Sequence, residues 1–288
     1  YVPAGKFKQL LVRLNTLWYE QAEETAAMAQ RGMQSLVERR QVKMPDSLVN
    51  MRQLKASFIS ETLQMADQMQ GGFGQSNRFP MTPQLGLLLE LQAAEPDKML
   101  GDYLTLTLEQ MANKGLRDQL AGGFYRYTVD PGWQTPHYEK MLYTQALLSE
   151  LYLRAATVLK RPDYQAVALD TLAFVLKEMQ GKKGAYIASF SAVDSNDVEG
   201  GYYLWSHKQL SQVLQGEMLE LAIEYWHLGS STLEPVLPTR GNIKALTAAT
   251  GKSEQQVDAV LQQARQKLLA KRAERGLPKD DKELAGWN

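Results

Sequence analysis

The chain has 288 residues, 44% apolar and 22% charged, with 32 acidic against 32 basic side chains and no cysteine. That balance offers no charge excess to nucleic acid or an anionic membrane, and the missing cysteine excludes disulfides, thiol nucleophiles and thiolate metal sites. No apolar run reaches the length of a bilayer span, so the composition is that of a globular chain with a sizeable core.

Residues 7–38 place Leu10, Leu11, Leu14, Leu17 and Trp18 at three- and four-residue spacing, continued by Ala22, Ala26, Met28 and Met33, which predicts one long helix. A linker follows to Pro45, and Asp46-Ser47 reads as the N-cap of a second helix over 48–69, ended by Gly71-Gly72. GGFGQSNRFPMTP is a loop. Pro83 fits the first turn of a leucine-rich, buried helix. Glu95-Pro96-Asp97 breaks it, and another helix runs over 98–114. Two more are expected over 138–159 and 162–179. A short β-hairpin is expected from 185–190 and 201–205 around the turn SAVDSNDVEGG. Ser206 caps a helix over 207–214, another covers 217–225, 229–242 are irregular, and Ser253 caps a long helix to about residue 275. The last residues read as the start of a further helix.

The stretch at 122–143, GGFYRYTVDPGWQTPHYEKMLY, follows neither the helical nor the strand period. Gly-Gly-aromatic loops recur as GGFG at 71–74, GGFY at 122–125 and GGYY at 200–203, each after helices that need partners. The pattern suggests an array of helical hairpins with its loops on one side. His137 is expected at a helix N-terminus, where the dipole disfavours its cation and leaves a neutral imidazole able to act as general base. Glu139 then falls in the first helical turn, on another side from His137, and Lys140 and Tyr143 fall near the face of His137. A carboxylate in the first turn of a helix is equally well explained as a partner of the dipole. Asp194, Asp197 and Glu199 form an acid/base group, a Ca²⁺ loop or a solvated turn; the solvated turn is the default and the Ca²⁺ loop ranks last for want of a regular ligand pattern, and Asp280, Asp281 and Lys282 form either a site or a helix cap with an ion pair. Tyr127, Trp133 and Trp205 would offer faces to a sugar ring if the loops gather at one mouth; each aromatic taken alone is better explained as packing. No zinc spacing, phosphate loop or nucleotide-binding glycine pattern is present, and no cofactor is expected.

GGFGQSNRFP (71–80), the stretch at 122–143, AVDSNDVEGGYYLW (192–205) and DDKELAGWN (280–288) together resemble the thioredoxin-fused family that includes the spermatogenesis-associated thioredoxin-like proteins. The resemblance implies an all-α fold. It would be part of an (α/α)6 toroid similar to N-acylglucosamine 2-epimerases and six-hairpin glycosidases, with short β-hairpins in the loops. It also implies a longer protein. Residues 1–45 would bridge from a thioredoxin-like domain, and 46–288 would form the first part of the toroid. Its presumed cavity would be lined by His137, Glu139, Lys140, Asp194, Glu199, Asp280, Asp281 and Lys282, with Trp287 and Asn288. Arg78, in the first motif, and Tyr143, in the second, join Tyr127, Trp133 and Trp205 as candidate ligand contacts. The expected function is a carbohydrate-type site, epimerase- or glycosidase-related, with His137 as acid/base and Glu139 and Asp194 assisting. The alternative is a non-catalytic module that binds a ligand or protein for the thioredoxin-like domain. Self-association through an exposed apolar helix face is expected as well. Localisation is left open, because Tyr1 is not an initiator methionine.

Overall fold

The computed structural model describes residues 3–40, 50–181, 184–229, 235–280 and 282–288. It comprises two units, 1–54 and 55–288. In the first unit the stretch expected as one helix is two, α1 (Ala4–Glu20) and α2 (Ala22–Arg40). Gln21 between them sits at φ −140° and ψ 48°, outside helical dihedrals, and its N–H closes the last turn of α1 on Leu17 O. The expected cap at Asp46-Ser47 lies outside the described residues. Asn50 caps the next helix, α3 (Met51–Met65), its Oδ1 accepting from the N–H groups of Arg52 and Gln53 at 3.0 and 3.3 Å.

The second unit is built from α4 (Thr82–Ala94), α5 (Lys98–Asn113), α6 (Leu142–Val158) and α7 (Pro162–Phe174), then α8 (His207–Val213), α9 (Gly216–Trp226), α10 (Ile243–Thr250) and α11 (Glu254–Ala273). The molecule is thus mainly helical, as expected. Most boundaries have local causes. Pro83 and Pro162 stand in first turns, where a missing N–H costs nothing. The Asp97 carboxylate accepts from Leu100 N–H at 2.8 Å. Ser206 and Ser253 each form a reciprocal capping box with a glutamine three residues on. The helix α10 was not expected; Asn242 caps it and Gly251, at φ +68°, ends it.

The helices α4–α5 and α6–α7 are joined by turns of a few residues and make two helical hairpins, and α6 packs on both α7 and α4. Leu85, Leu104, Leu108, Leu148, Tyr152 and Tyr164 form their common core. Leu87 of α4 is exposed, so that leucine-rich helix is buried on one side only. A second core joins α8 to α11 around Leu210, Leu221, Trp226, Leu246 and Leu261. Each fully buried leucine contributes about 1.5–3 kcal/mol from the hydrophobic effect.

Two small sheets fasten the loops. β1 (Tyr127–Thr128) pairs antiparallel with β2 (Pro136–His137). β3 (Lys140–Met141), β4 (Ser189–Phe190) and β5 (Lys279–Asp280) make an antiparallel sheet in that order, drawing together three remote segments. The expected hairpin between 185–190 and 201–205 is therefore corrected. β4 pairs with β3 and β5 instead. Trp205 exchanges two hydrogen bonds with Val236, and Arg275 holds the carbonyls of Gly201, Tyr202 and Leu204 at 3.3, 3.0 and 2.6 Å. The end of the chain makes a single 3₁₀ turn, Ala285–Trp287. No helix among the described residues is long and apolar enough to cross a membrane.

Candidate functional site

The loops after α3 and α5 are two copies of one turn. The sequence Asp-Gln-x-x-Gly-Gly-Phe occurs at 67–73 and again at 118–124. In each copy the Asp N–H donates to the second Gly carbonyl, and the first Gly N–H donates back to the Asp carbonyl, at 2.9 to 3.0 Å. Asp67 Oδ1 accepts from Met69 and Gln70 N–H at 2.9 and 2.8 Å, and Asp118 Oδ1 from Leu120 and Ala121 N–H at 3.0 and 3.1 Å. All four glycines have φ between +69° and +78°, a region that costs other residues about 1–2 kcal/mol. The third loop is different: Gly200 has φ +73° but Gly201 does not share it.

Each turn leaves the second carboxylate oxygen free for a cation. Asp67 takes Arg78, which is fully buried and also donates to Gly74 O and to Pro131 O. Arg78, a candidate ligand contact, is thereby committed to holding its own loop. Asp118 Oδ2 takes two cations, Lys140 Nζ and Arg272 Nη2, both at 2.9 Å, and Arg272 Nη1 reaches Oδ1 at 3.1 Å. Lys140 also donates to Gly122 O at 2.9 Å and lies over the rings of Phe174, Tyr125 and Tyr203 at 4.2, 5.1 and 5.2 Å. Burial raises the Asp118 carboxyl, but Arg272 and Lys140 outweigh it and hold the group far below the usual carboxylate range. Burial, with Arg272 adding repulsion, draws the Lys140 ammonium down to about 8 despite Asp118.

Around this cluster Tyr125, Tyr138, Tyr202 and Tyr203 pack edge to face and in one stack, with centroids 5.0 to 5.9 Å apart. The hydroxyls of Tyr125 and Tyr203 and the Nε of Arg272 are buried and have no partner among the described residues. A cavity of about 450 Å³ opens beside them, walled in part by Lys140, Arg272, Tyr202 and Tyr203.

His137 is elsewhere. It lies in β2, not at a helix N-terminus, because 136–141 spend their backbone groups across strands and α6 begins only at Leu142. The helix-dipole argument for His137 and Glu139 is therefore corrected, and so is the grouping of Lys140 and Tyr143 with His137 by helical spacing. Tyr127 stacks on His137 at 5.1 Å and 11°, and Phe79 stacks on Tyr127 at 4.6 Å and 16°. Glu139 pairs with Arg126 at 3.1 Å. Arg126, Phe79 and Tyr143 line a groove of about 390 Å³. His137 Nδ1 is buried without a partner among the described residues. Tyr143 also meets Trp287 edge-on at 5.1 Å.

The other expected contacts are scattered. Trp133, at φ +61°, has no exposed surface, its Nε1 donating to Gln70 O at 2.9 Å, in a loop shaped by Asp130. Trp205 is equally buried, beneath Arg275 at 4.1 Å. Neither indole offers a face to a ligand. Asp194 Oδ1 accepts from the N–H groups of Asn196 and Val198 at 2.8 and 3.1 Å, and Glu199 is exposed at the end of the same turn. Asp280 faces Ser189 Oγ and Lys282 Nζ, each at 3.4 Å. Asp281 lies outside the described residues. Among those expected residues the structure therefore gathers Tyr127 with His137, Tyr143 with Trp287 and Asp280 with Lys282, and places Lys140 alone in the buried cluster. Asp118, Arg272, Arg126 and Phe79 were not singled out in the sequence. The repeated Asp-Gln before Gly-Gly-Phe was the available signal for Asp118.

No protein-family model matches the chain. It is 27% identical over 324 residues to human spermatogenesis-associated protein 20, covering 98% of this chain and 40% of that protein. Among solved structures it is similar to the cellobiose 2-epimerase of Spirochaeta thermophila, at 17% identity and TM-score 0.42, over 51% of this chain and 42% of that one. It is also similar to a sugar epimerase from a ruminal bacterium, at 15% identity and TM-score 0.43, over 73% and 50%.

Proposed function

Because the homologues of this chain are spermatogenesis-associated protein 20 proteins, of whose length it spans about 40%, we propose that it is the ligand-binding helical part of a thioredoxin-fused protein. Its ligand would be a small molecule of the carbohydrate type. The observation that carries this reading is the Phe79–Tyr127–His137 stack together with the Arg126–Glu139 pair, of which Phe79 and Arg126 also line a groove of about 390 Å³. A sugar needs flat apolar rings for its C–H faces and charged or amide groups for its hydroxyls, and this combination supplies both.

Binding is favoured over hydrolysis. Glycoside cleavage uses two carboxylates flanking one bond, whereas Glu139 is tied to Arg126 and Asp194 stands in a different loop, its Oδ1 held by the amides of that turn. Saturation-transfer NMR with a panel of neutral mono- and disaccharides tests the reading. Signal transfer to at least one sugar is expected, with loss in Tyr127→Ala and weakening in Glu139→Gln. A panel with no transfer, or transfer unchanged in both variants, would sink it.

One observation supports a catalytic reading as the second choice: the Nδ1 of His137 has no partner among the described residues, so that nitrogen is not committed to a structural hydrogen bond. An epimerase of this kind exchanges the proton next to a sugar carbonyl with solvent. Deuterium incorporation from heavy water into a bound reducing sugar, abolished in His137→Ala, is the outcome that reading requires.

A further inference from the structure

The cavity of about 450 Å³ beside Asp118 shares no lining residue with the Phe79–Arg126 groove. Among the described residues its charge is unbalanced. Asp118 is one carboxylate serving two buried cations, Lys140 and Arg272. Asp170, also in its wall, serves Arg117 at 2.6 Å and Arg265 at 3.0 Å. Four cations thus meet two carboxylates, and three of those cations, Lys140, Arg272 and Arg265, line the cavity. At its rim Lys177 and Glu178 pair with each other at 3.4 Å, and Lys279 adds one more positive charge. Buried charge without a counter-charge is costly, several kcal/mol per ion even after relaxation.

Two residues of the wall also carry buried hydrogen-bond donors that lack a partner among the described residues. Tyr203 is 1% exposed and Arg272 2% exposed, and both line the cavity. The Tyr203 hydroxyl and the Arg272 Nε have no partner among the described residues. Natural proteins leave few such groups, and each asks for an explanation.

We propose that this cavity is a site for a small oxyanion, a phosphate or carboxylate group either free or carried by a compact organic molecule. The anion would accept from the Tyr203 hydroxyl and the Arg272 Nε–H, and would neutralise the charge that Asp118 and Asp170 leave over. Lys140 stays close to half-protonated near pH 8, and an anion beside it favours its charged form, so binding at that pH takes up a proton. Nothing in this assignment depends on the sugar groove.

The test uses the 288-residue chain with inorganic phosphate and glucose 6-phosphate as probes, and sodium chloride of equal ionic strength and glucose as controls. Titration calorimetry at pH 8 in two buffers of different ionisation enthalpy reads affinity and proton uptake together. Saturable binding of phosphate or of glucose 6-phosphate, with proton uptake and no matching effect of chloride, is expected. Tighter binding of glucose 6-phosphate than of phosphate assigns the anion to a carried group, and equal binding assigns it to a free one. Arg272→Gln removes a donor but also a partner of Asp118, and that variant can fail to fold. Tyr203→Phe removes only the hydroxyl, keeps the ring packing, and is expected to weaken binding about tenfold or more, the worth of a hydrogen bond to a charged group. A heat no larger than that of chloride, or an affinity unchanged in both Tyr203→Phe and Arg265→Gln, overturns the proposal.

Discussion

Asp118 joins the repeated turn to two buried cations. Its two oxygens accept from two backbone N–H groups and two buried cations. Asp118→Asn leaves both cations without a counter-charge, and breaking such a pair from one side costs about 3–5 kcal/mol; urea unfolding at pH 7 checks it. Lys140→Met is expected to cost much less, because Asp118 keeps Arg272 in a one-to-one pair and the end of the side chain already lies over three aromatic rings, which a methionine can meet as well. The pH dependence separates the two. The folded Asp118 carboxyl is depressed below its unfolded value of about 3.9. Its contribution is present above that pH and falls away in acid as pH drops toward the folded value. Lys140 is drawn down to about 8 from 10.5. Above pH 8 the unfolded chain therefore holds more protons, and stability rises with pH. Near pH 10 the tyrosines begin to act in the opposite sense, since burial keeps Tyr125 and Tyr203 protonated only in the folded state. The expected result is a rise in unfolding free energy between pH 8 and about 9.5 that Lys140→Met flattens; an unchanged slope in that variant would refute the assignment.

At the scale of elements, the repeated turn is where glycine is demanded twice over. A Cβ on Gly123 would sit 2.5 Å from the Phe174 ring, and its φ is +73°. Gly74 shares the positive φ, at +85°, but a Cβ there meets nothing within 4 Å. Gly74→Ala is expected to cost about 1–2 kcal/mol for conformation, and Gly123→Ala about 1–3 kcal/mol more for overpacking. Equal midpoints for the two variants in urea would argue against the packing at Phe174. The same elements show what could be read from the sequence alone. Helices announced themselves where a local cause existed, as at Pro83, Pro162, Ser206 and Ser253. The two-residue strands did not, because Lys140 pairs with Phe190 and Phe190 with Lys279, and so short a strand has no period to detect. Pro136-His137 imitated a helix start for that reason. The helix α10 escaped because its eight residues bury only Leu246. Asp118 escaped because its cations follow 22 and 154 residues later.

At the scale of the whole molecule, α1 and α2 leave a row of apolar side chains exposed. Phe7, Leu10, Leu11, Leu14 and Trp18 recur at three- and four-residue spacing along α1, and each is about half exposed; Met28, Met33, Leu36 and Val37 of α2 are exposed too. The stripe is amphipathic rather than uniformly apolar, and no described helix qualifies as a membrane span. Isolated exposed leucines are ordinary, but a contiguous stripe of this length is expected to act as a contact surface. A second copy of the chain is the partner always present at high concentration, and helix faces of this kind associate through i, i+3 and i+4 anchors. The expected behaviour is concentration-dependent self-association of the 288-residue chain, seen as a rising weight-average mass in sedimentation equilibrium. Leu14→Gln with Trp18→Gln places polar groups in the centre of the stripe and should return the chain to monomer. Neither residue is buried, so the cores around Leu104 and Trp226 should keep their melting behaviour. A monodisperse monomer across the concentration range, or association untouched by the double variant, would show that α1 is not the contact.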